Sequence, residues 1–389
     1  MPQVVVDYAR KYGDLSFKEL PFRPNDCFVL CAALYAPIEK VVTDVFEAVP
    51  EKTFGQAIDD FYAYHDHKIE PVGLLLKDSP FRTLLVLRNF HRFADMKITG
   101  CRSVYSLENV VQFAGMTLLP ADDDFMIVLF RGTDDTIAGW QEDLDILAKG
   151  DIPSHQLCVD YLEAAAAAYP DKKIIVAGHS KGAYLATYAA LHCSPEVRNR
   201  LIAVYNNDGP GFNTADVIHS AEFEAIKPIY KHFVPESSLV GMLLYHDDDY
   251  EVVKSSVILP PFQHDAHTWR VNGTEPDFRP ELTFIGKVND KFFGGILPKL
   301  DAEKIAAMYE IVTTVLYAPG VETLLELGSD LGASAVKMAK SFKTVSKPAK
   351  KALVGMVGDF VSVAAKAVVT VAGEAKKVKK VPAMIKELV

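Results

Sequence analysis

The sequence predicts an α/β protein: a mostly parallel central sheet flanked by helices, with further helices at both ends of the chain. Three observations lead there. Between about 96 and 290, short apolar runs alternate with helix-length stretches, the pattern of strand–helix–strand units. Before about 95 the apolar spacing is helical, and from 301 onward it is helical again. The 389 residues are 49% hydrophobic and 24% charged, the balance of a soluble globular chain. That balance excludes wholesale disorder, collagen and a coiled-coil rod. Three regions follow: residues 1–95, an N-terminal helical extension packed on the core; 96–290, the α/β core; and 291–389, a C-terminal helical region with a basic amphipathic tail.

Each element has a local reason. Asn25-Asp26 before CFVLCAALY reads as a helix N-cap, and FGQAIDDFYAYH carries helical spacing. VVQFAGMTLL and FMIVLF read as strands parted by the turn PADDD. GWQEDLDILA follows, then the helix DYLEAAAAAYP. KKIIVAG is a strand, AYLATYAALHC a helix of small residues, and LIAVYNND a strand ending in an acid. PIYKHFV and EVVKSSVIL read as two more strands. The five cysteines, at 27, 31, 101, 158 and 193, match no zinc spacing and are expected to be reduced and buried. The first residues lack a basic segment followed by a long apolar run, so a cytoplasmic location is expected. A net charge of −10 argues against general nucleic-acid binding.

The charge is unevenly spread. Residues 337–389 hold 12 Lys against 3 acids, a net of +9, so the preceding 336 residues carry −19. Within 352–374 the polar side chains Asp359, Ser362, Lys366, Thr370 and Glu374 trace one narrow helical stripe, flanked by lysines at 347, 350, 351, 376, 377, 379 and 380. A helix packed on the protein is the first expectation. The second is peripheral contact of residues 345–389 with an anionic membrane, and the third a partner-binding helix.

The chemistry centres on Gly178-His179-Ser180-Lys181-Gly182. It follows an apolar strand and opens a helix rich in small residues, the setting of a nucleophile elbow. A serine hydroxyl needs a base, and the chain order that suits this layout is serine, acid, histidine. Asp208 ends one strand and Glu236 follows the next; Asp208 is the preferred acid. His264 is the preferred base and His267 the alternative. The turn Phe130-Arg131-Gly132-Thr133-Asp134-Asp135 closes another strand. Acyl transfer needs donors aimed at the oxyanion; the backbone N–H groups of Lys181 and Thr133 are the candidates, with the Thr133 hydroxyl as a third. A Lys181 side chain beside the nucleophile would favour an anionic substrate or point to solvent.

VLFRGTDDTIAGWQEDLDI resembles the FRGT…W…D segment of the fungal class 3 lipases, and GHSKG resembles their GHSLG elbow. QFAGMT, FRGTDDTIAGWQEDL, AGHSKGAYLATYAA, YNNDGPGF, VPESSLVGMLL and QHDAHTW resemble still more closely a bacterial family of lipase-like proteins of unknown function in the α/β-hydrolase superfamily. The resemblance covers roughly residues 5–275. It implies an α/β-hydrolase fold and an esterase or lipase-like site at Ser180, with Thr133 and Lys181 at the oxyanion hole, acting on a small-molecule or lipid ester. The sequence departs from the lipases where Ser238 occupies the place of their aspartate, which is why Asp208 and Glu236 compete. A non-catalytic hydrolase fold used for binding is the alternative function. His246-Asp247-Asp248-Asp249 with His264 and His267 is a minor candidate for metal. No nucleotide-binding glycine pattern is present, and no cofactor is expected.

Overall fold

The computed structural model describes residues 2–386 apart from 75 and 122, with side-chain detail excluding 331 and those after 374. Five helices come first: α1 (Val5–Tyr12), α2 (Pro24–Ala33), α3 (Phe54–Tyr64), α4 (Ser79–Leu87) and α5 (His91–Ala94). The expected cap at Asn25-Asp26 is displaced: the helix starts at Pro24, with Arg23 at the cap. Proline fits the first helical position, whose N–H would have no partner. Asp26 accepts the Arg23 N–H at 2.8 Å from inside the first turn and forms a fully buried ion pair with Arg92, 2.6 Å away.

The strands and their connections follow: β1 (Lys97–Ser106), β2 (Val111–Leu119), β3 (Phe125–Phe130), α6 (Ile137–Ala148), α7 (Pro153–Ala168), β4 (Lys173–His179), α8 (Lys181–His192), α9 (Pro195–Arg198), β5 (Leu201–Asn207), α10 (Ala221–Ile226), β6 (Tyr230–Pro235), β7 (Glu251–Val253), α11 (Pro260–Gln263), β8 (Val271–Asn272), β9 (Glu275–Pro276) and β10 (Phe278–Arg279). Eight of them form one sheet in the order β1-β2-β3-β4-β5-β6-β7-β10. The run from β3 to β7 is parallel; β1, β2 and β10 pair antiparallel at the edges. This is the expected hydrolase-type fold. β1 escapes the sequence reading because its outer half, CRSVYS, mixes polar and apolar residues at the sheet edge and its register shifts between Thr99 and Arg102. EVVKSSVIL is strand only over Glu251–Val253.

The central strands are buried on both faces, which explains their continuous apolar runs. Ile127, Leu129, Ile175, Ala177, Tyr205 and Phe233 pack with the N-terminal helices. Met126, Val128, Phe130, Ile174, Val176 and Val204 pack with α7, α8 and α10. Residues 5–95 therefore supply most of one layer over the sheet, completed by Ala266, Trp269 and Val271. All five cysteines are buried and unpaired.

The chain ends in α12 (Phe284–Ile296), α13 (Ala302–Leu316), α14 (Leu324–Ser329), α15 (Leu331–Thr344) and α16 (Lys347–Lys386). α12 sits beside the loop after β6, where the Asn289 amide donates to Ser238 O at 3.0 Å. α13 meets α6 through a 2.7 Å hydrogen bond from Gln141 to the Tyr309 hydroxyl. α16 packs along α12 and α13, burying Ala349, Met356, Val363, Ala367 and Val371. Asp359 is held by Lys299 at 3.0 Å and Lys304 at 2.9 Å.

Candidate active site

β4 ends at His179 and α8 begins at Lys181, so Ser180 alone makes the turn, at φ 58° and ψ −132°. A non-glycine residue there stores about 1–3 kcal/mol of strain. The flanking glycines are sterically required. A Cβ on Gly182 would lie 2.1 Å from Phe130 O, and one on Gly178 equally close to the Gly182 backbone. The Ser180 N–H donates to Asn207 O at 3.1 Å, and the Asn207 amide returns a 2.8 Å bond to Gly178 O. These bonds tie the turn to β5.

The residue after β5, Asp208, also has positive φ (52°) and is fully buried. Its Oδ2 lies 2.7 Å from His264 Nδ1. Its Oδ1 accepts the Ser238 hydroxyl at 2.5 Å and the Gly241 N–H at 3.0 Å. The geometry makes Nδ1 the protonated nitrogen and leaves Nε2 able to accept a proton. The structure thus brings Asp208 and His264 together and separates the alternatives. Glu236 pairs with Arg279 at 2.9 Å, and His267 with Asp265 at 2.7 Å. Among the described residues the Ser180 hydroxyl makes no hydrogen bond to His264, a contact that in free enzymes is often long and tightens with substrate.

Neither the Thr133 nor the Lys181 backbone N–H has an acceptor among the described residues, so both stay free for an oxyanion. Their side chains are committed elsewhere, which corrects two expectations. The Thr133 hydroxyl donates to the Asp143 carboxylate at 2.7 Å and is not a third donor. The Lys181 ammonium neither meets substrate nor reaches solvent. It is buried, bonded to Gln112 O at 2.9 Å, Gln112 Oε1 at 2.7 Å and Glu142 Oε2 at 2.7 Å. Glu142 is buried too, its other oxygen accepting the Ser154 hydroxyl at 2.6 Å. Consecutive residues of α6 therefore hold both candidate oxyanion residues: Glu142 holds Lys181, and Asp143 holds Thr133. Burial pushes the Asp143 carboxyl up to about 6, against the opposing pull of the Lys181 charge and the Thr133 hydrogen bond.

His179 lies against His264, their ring centroids 4.5 Å apart. Its Nε2 is 2.6 Å from His264 O, and its Nδ1 is 2.8 Å from the Tyr35 hydroxyl. A carbonyl only accepts, so Nε2 carries the proton and Nδ1 accepts from Tyr35. Burial pushes the imidazole down to about 3, keeping it neutral. Asp135 clasps the loop after Thr133: its carboxylate accepts the N–H groups of Leu74 and Leu325, each at 2.7 Å.

Sequence reasoning missed Tyr35, Glu142 and Asp143, and named Asp135 and Ser238 without the contacts they make. Apart from Thr133, ten residues before Asp143, their partners are distant in the chain. The available signal was two adjacent acids, Glu142-Asp143, in a helix that also buries Ile137, Ala138 and Ile146. His246 turns back on Asp247 O at 3.3 Å, and among the described residues no group of three or more metal-ligating side chains converges.

No curated protein matches the chain. Solved structures similar to it include the Rhizomucor miehei lipase in complex with its propeptide, 16% identical, covering 64% of this chain and 72% of that one at a TM-score of 0.34. Lipase II from Rhizopus niveus is 16% identical, with 58% and 79% covered and a TM-score of 0.31. The Lip2 lipase from Yarrowia lipolytica is 13% identical, with 65% and 86% covered and a TM-score of 0.31. The Mbeg1-like family profile matches residues 87–313, from the end of α4 into α13. That span holds the elbow, the acid, the histidine and the FRGTDD turn, more than half of the chain, and the protein belongs to the Mbeg1-like family.

Proposed function

We propose that the protein is a serine hydrolase that cleaves a carboxylic ester through an acyl-enzyme. The observation that carries this reading is the 2.7 Å contact between buried Asp208, just after β5, and His264, just after α11, in the chain order that follows the strained Ser180. Ser180 attacks the carbonyl carbon while His264 Nε2 takes its proton. Asp208 orients the ring and stabilises the imidazolium. The backbone N–H groups of Thr133 and Lys181 receive the oxyanion. His264 then returns the proton to the leaving alcohol, and water releases the acyl group by the same steps in reverse order. No cofactor enters this scheme.

An apolar acyl chain suits the surroundings. Ile258, Leu259 and Phe262, on the segment leading into His264, are 86%, 61% and 59% exposed. An apolar rim of this kind matches a lipid or other hydrophobic ester. We assign the activity to the cytoplasm, at or near a membrane.

Labelling with a fluorophosphonate probe tests the reading. The full-length protein is expected to be labelled, and Ser180→Ala to abolish labelling. A folded wild type that stays unlabelled at all probe concentrations, and cleaves none of a panel of p-nitrophenyl esters graded in chain length, would overturn it in favour of a hydrolase fold used for binding.

A further inference from the structure

α16 is packed on one side and bare on the other. Residues Lys347–Glu374 are long and apolar enough to cross a bilayer, yet only 17% of their most apolar window is buried. At 100° per residue, the buried side chains Met356, Val363, Ala367 and Val371 share one face. Val354, Val357, Val361, Ala365 and Val368 recur at helical spacing on the opposite face, with Val369 beside them. Val354, Val361 and Val369 are 73%, 66% and 72% exposed. A soluble surface does not ordinarily keep so long an apolar stripe in water.

The flanking charge identifies the occupant. Lys347 and Lys351 are exposed at the N-terminal end of the stripe and Lys366 lies along its edge; four more lysines follow at 376, 377, 379 and 380. A second copy laid on this face would bring one lysine-flanked helix against another. An anionic lipid surface supplies apolar depth for the valines and negative headgroups for the lysines together. The remaining chain carries −19 against the +9 of residues 337–389, so a negative membrane repels the body as a whole and attracts this segment. Asp359 would oppose insertion across the bilayer, but it faces Lys299 and Lys304 and is already neutralised by them.

We propose that α16 docks lengthwise on an anionic membrane surface, its valine stripe in the acyl boundary and its lysines among the headgroups, while it stays packed on α12 and α13. This does not depend on catalysis at Ser180.

Flotation of the full-length protein with vesicles tests it. Protein is expected to float with phosphatidylcholine–phosphatidylglycerol vesicles and to float at least tenfold less with phosphatidylcholine alone. Raising salt from about 0.1 to about 1 M shortens the screening length from about 10 to about 3 Å and should release most of it. The triple variant Val354→Asp, Val361→Asp, Val369→Asp changes only exposed side chains; with an unchanged circular dichroism spectrum, it should lose flotation at least tenfold. Lys347→Gln with Lys350→Gln and Lys351→Gln should weaken it by about tenfold or more. Equal flotation of the folded Asp variant would overturn the proposal. So would a wild type that ignores both vesicles, including one that forms a dimer which the Asp variant breaks.

Discussion

α8 and α16 are both rich in small residues, with alanine, glycine and threonine in each and lysine at the start of both, and they live in opposite surroundings. Ten of the twelve residues of α8 are buried, Lys181 included. Along α16, up to Glu374, burial is confined to Ala349, Met356, Val363, Ala367 and Val371. Small residues let α8 approach the sheet closely enough for Gly182 to touch the Phe130 carbonyl. In α16 the glycines at 355, 358 and 373 have nothing within 4 Å of where a Cβ would stand. Composition alone does not say what a helix touches. The lysines do: Lys181 is buried with an acid waiting for it, whereas Lys347, Lys351 and Lys366 are exposed beside a bare face.

The largest expected effect lies at the α8 end. Asp208→Asn should slow fluorophosphonate labelling by about 10³–10⁴-fold, read from labelling time courses, with α16 and vesicle binding untouched. Next is the buried ion pair. Glu142→Ala strands the Lys181 charge and should cost about 3–5 kcal/mol in urea unfolding. Pairing Lys181→Leu with Glu142→Leu should recover most of that loss, because two apolar side chains leave no unpaired charge. If the single variant is as stable as wild type, Lys181 is not held as described. Overpacking comes third: Ala186→Leu in α8 should cost about 1–3 kcal/mol.

A pH effect follows from Asp143. Its folded carboxyl titrates at about 6, above the ordinary value of about 4, so the folded state holds that proton more tightly. Its contribution to stability is full below about pH 4 and is lost as pH rises through 6. Asp143→Asn should flatten this part of the stability–pH profile, as measured by melting temperature. The smallest effect sharpens the contrast of the two helices: Val361→Asp in α16 should change unfolding free energy by less than about 0.5 kcal/mol, whereas the same substitution at Ala186 should prevent folding.

The central parallel strands β3 and β4 were legible because they are buried on both faces and so read as nearly unbroken apolar runs. The elbow was legible because its steric demands fall on neighbours in sequence. Asp208 and His264 were legible as candidates; their pairing was not, since it depends on how the loops after β5 and β7 converge. β1 was hidden by its half-exposed edge position. The fate of Lys181 was hidden for another reason: a lysine beside a nucleophile reads as a surface charge unless Glu142, 39 residues earlier, is known to lie beneath it.

The clasp at Asp135 has a consequence for the birth of the protein. The loop carrying Thr133 is pinned by the N–H groups of Leu324 and Leu325 and by Glu322 O. Leu325 follows Ser180 by 145 residues. At about 5–20 residues per second, a ribosome needs roughly 7 to 30 s to add that stretch. Throughout that interval the nascent chain already holds Ser180, but the loop carrying Thr133 still lacks its last fastening. Synthesis order alone delays a finished site until most of the chain has been made.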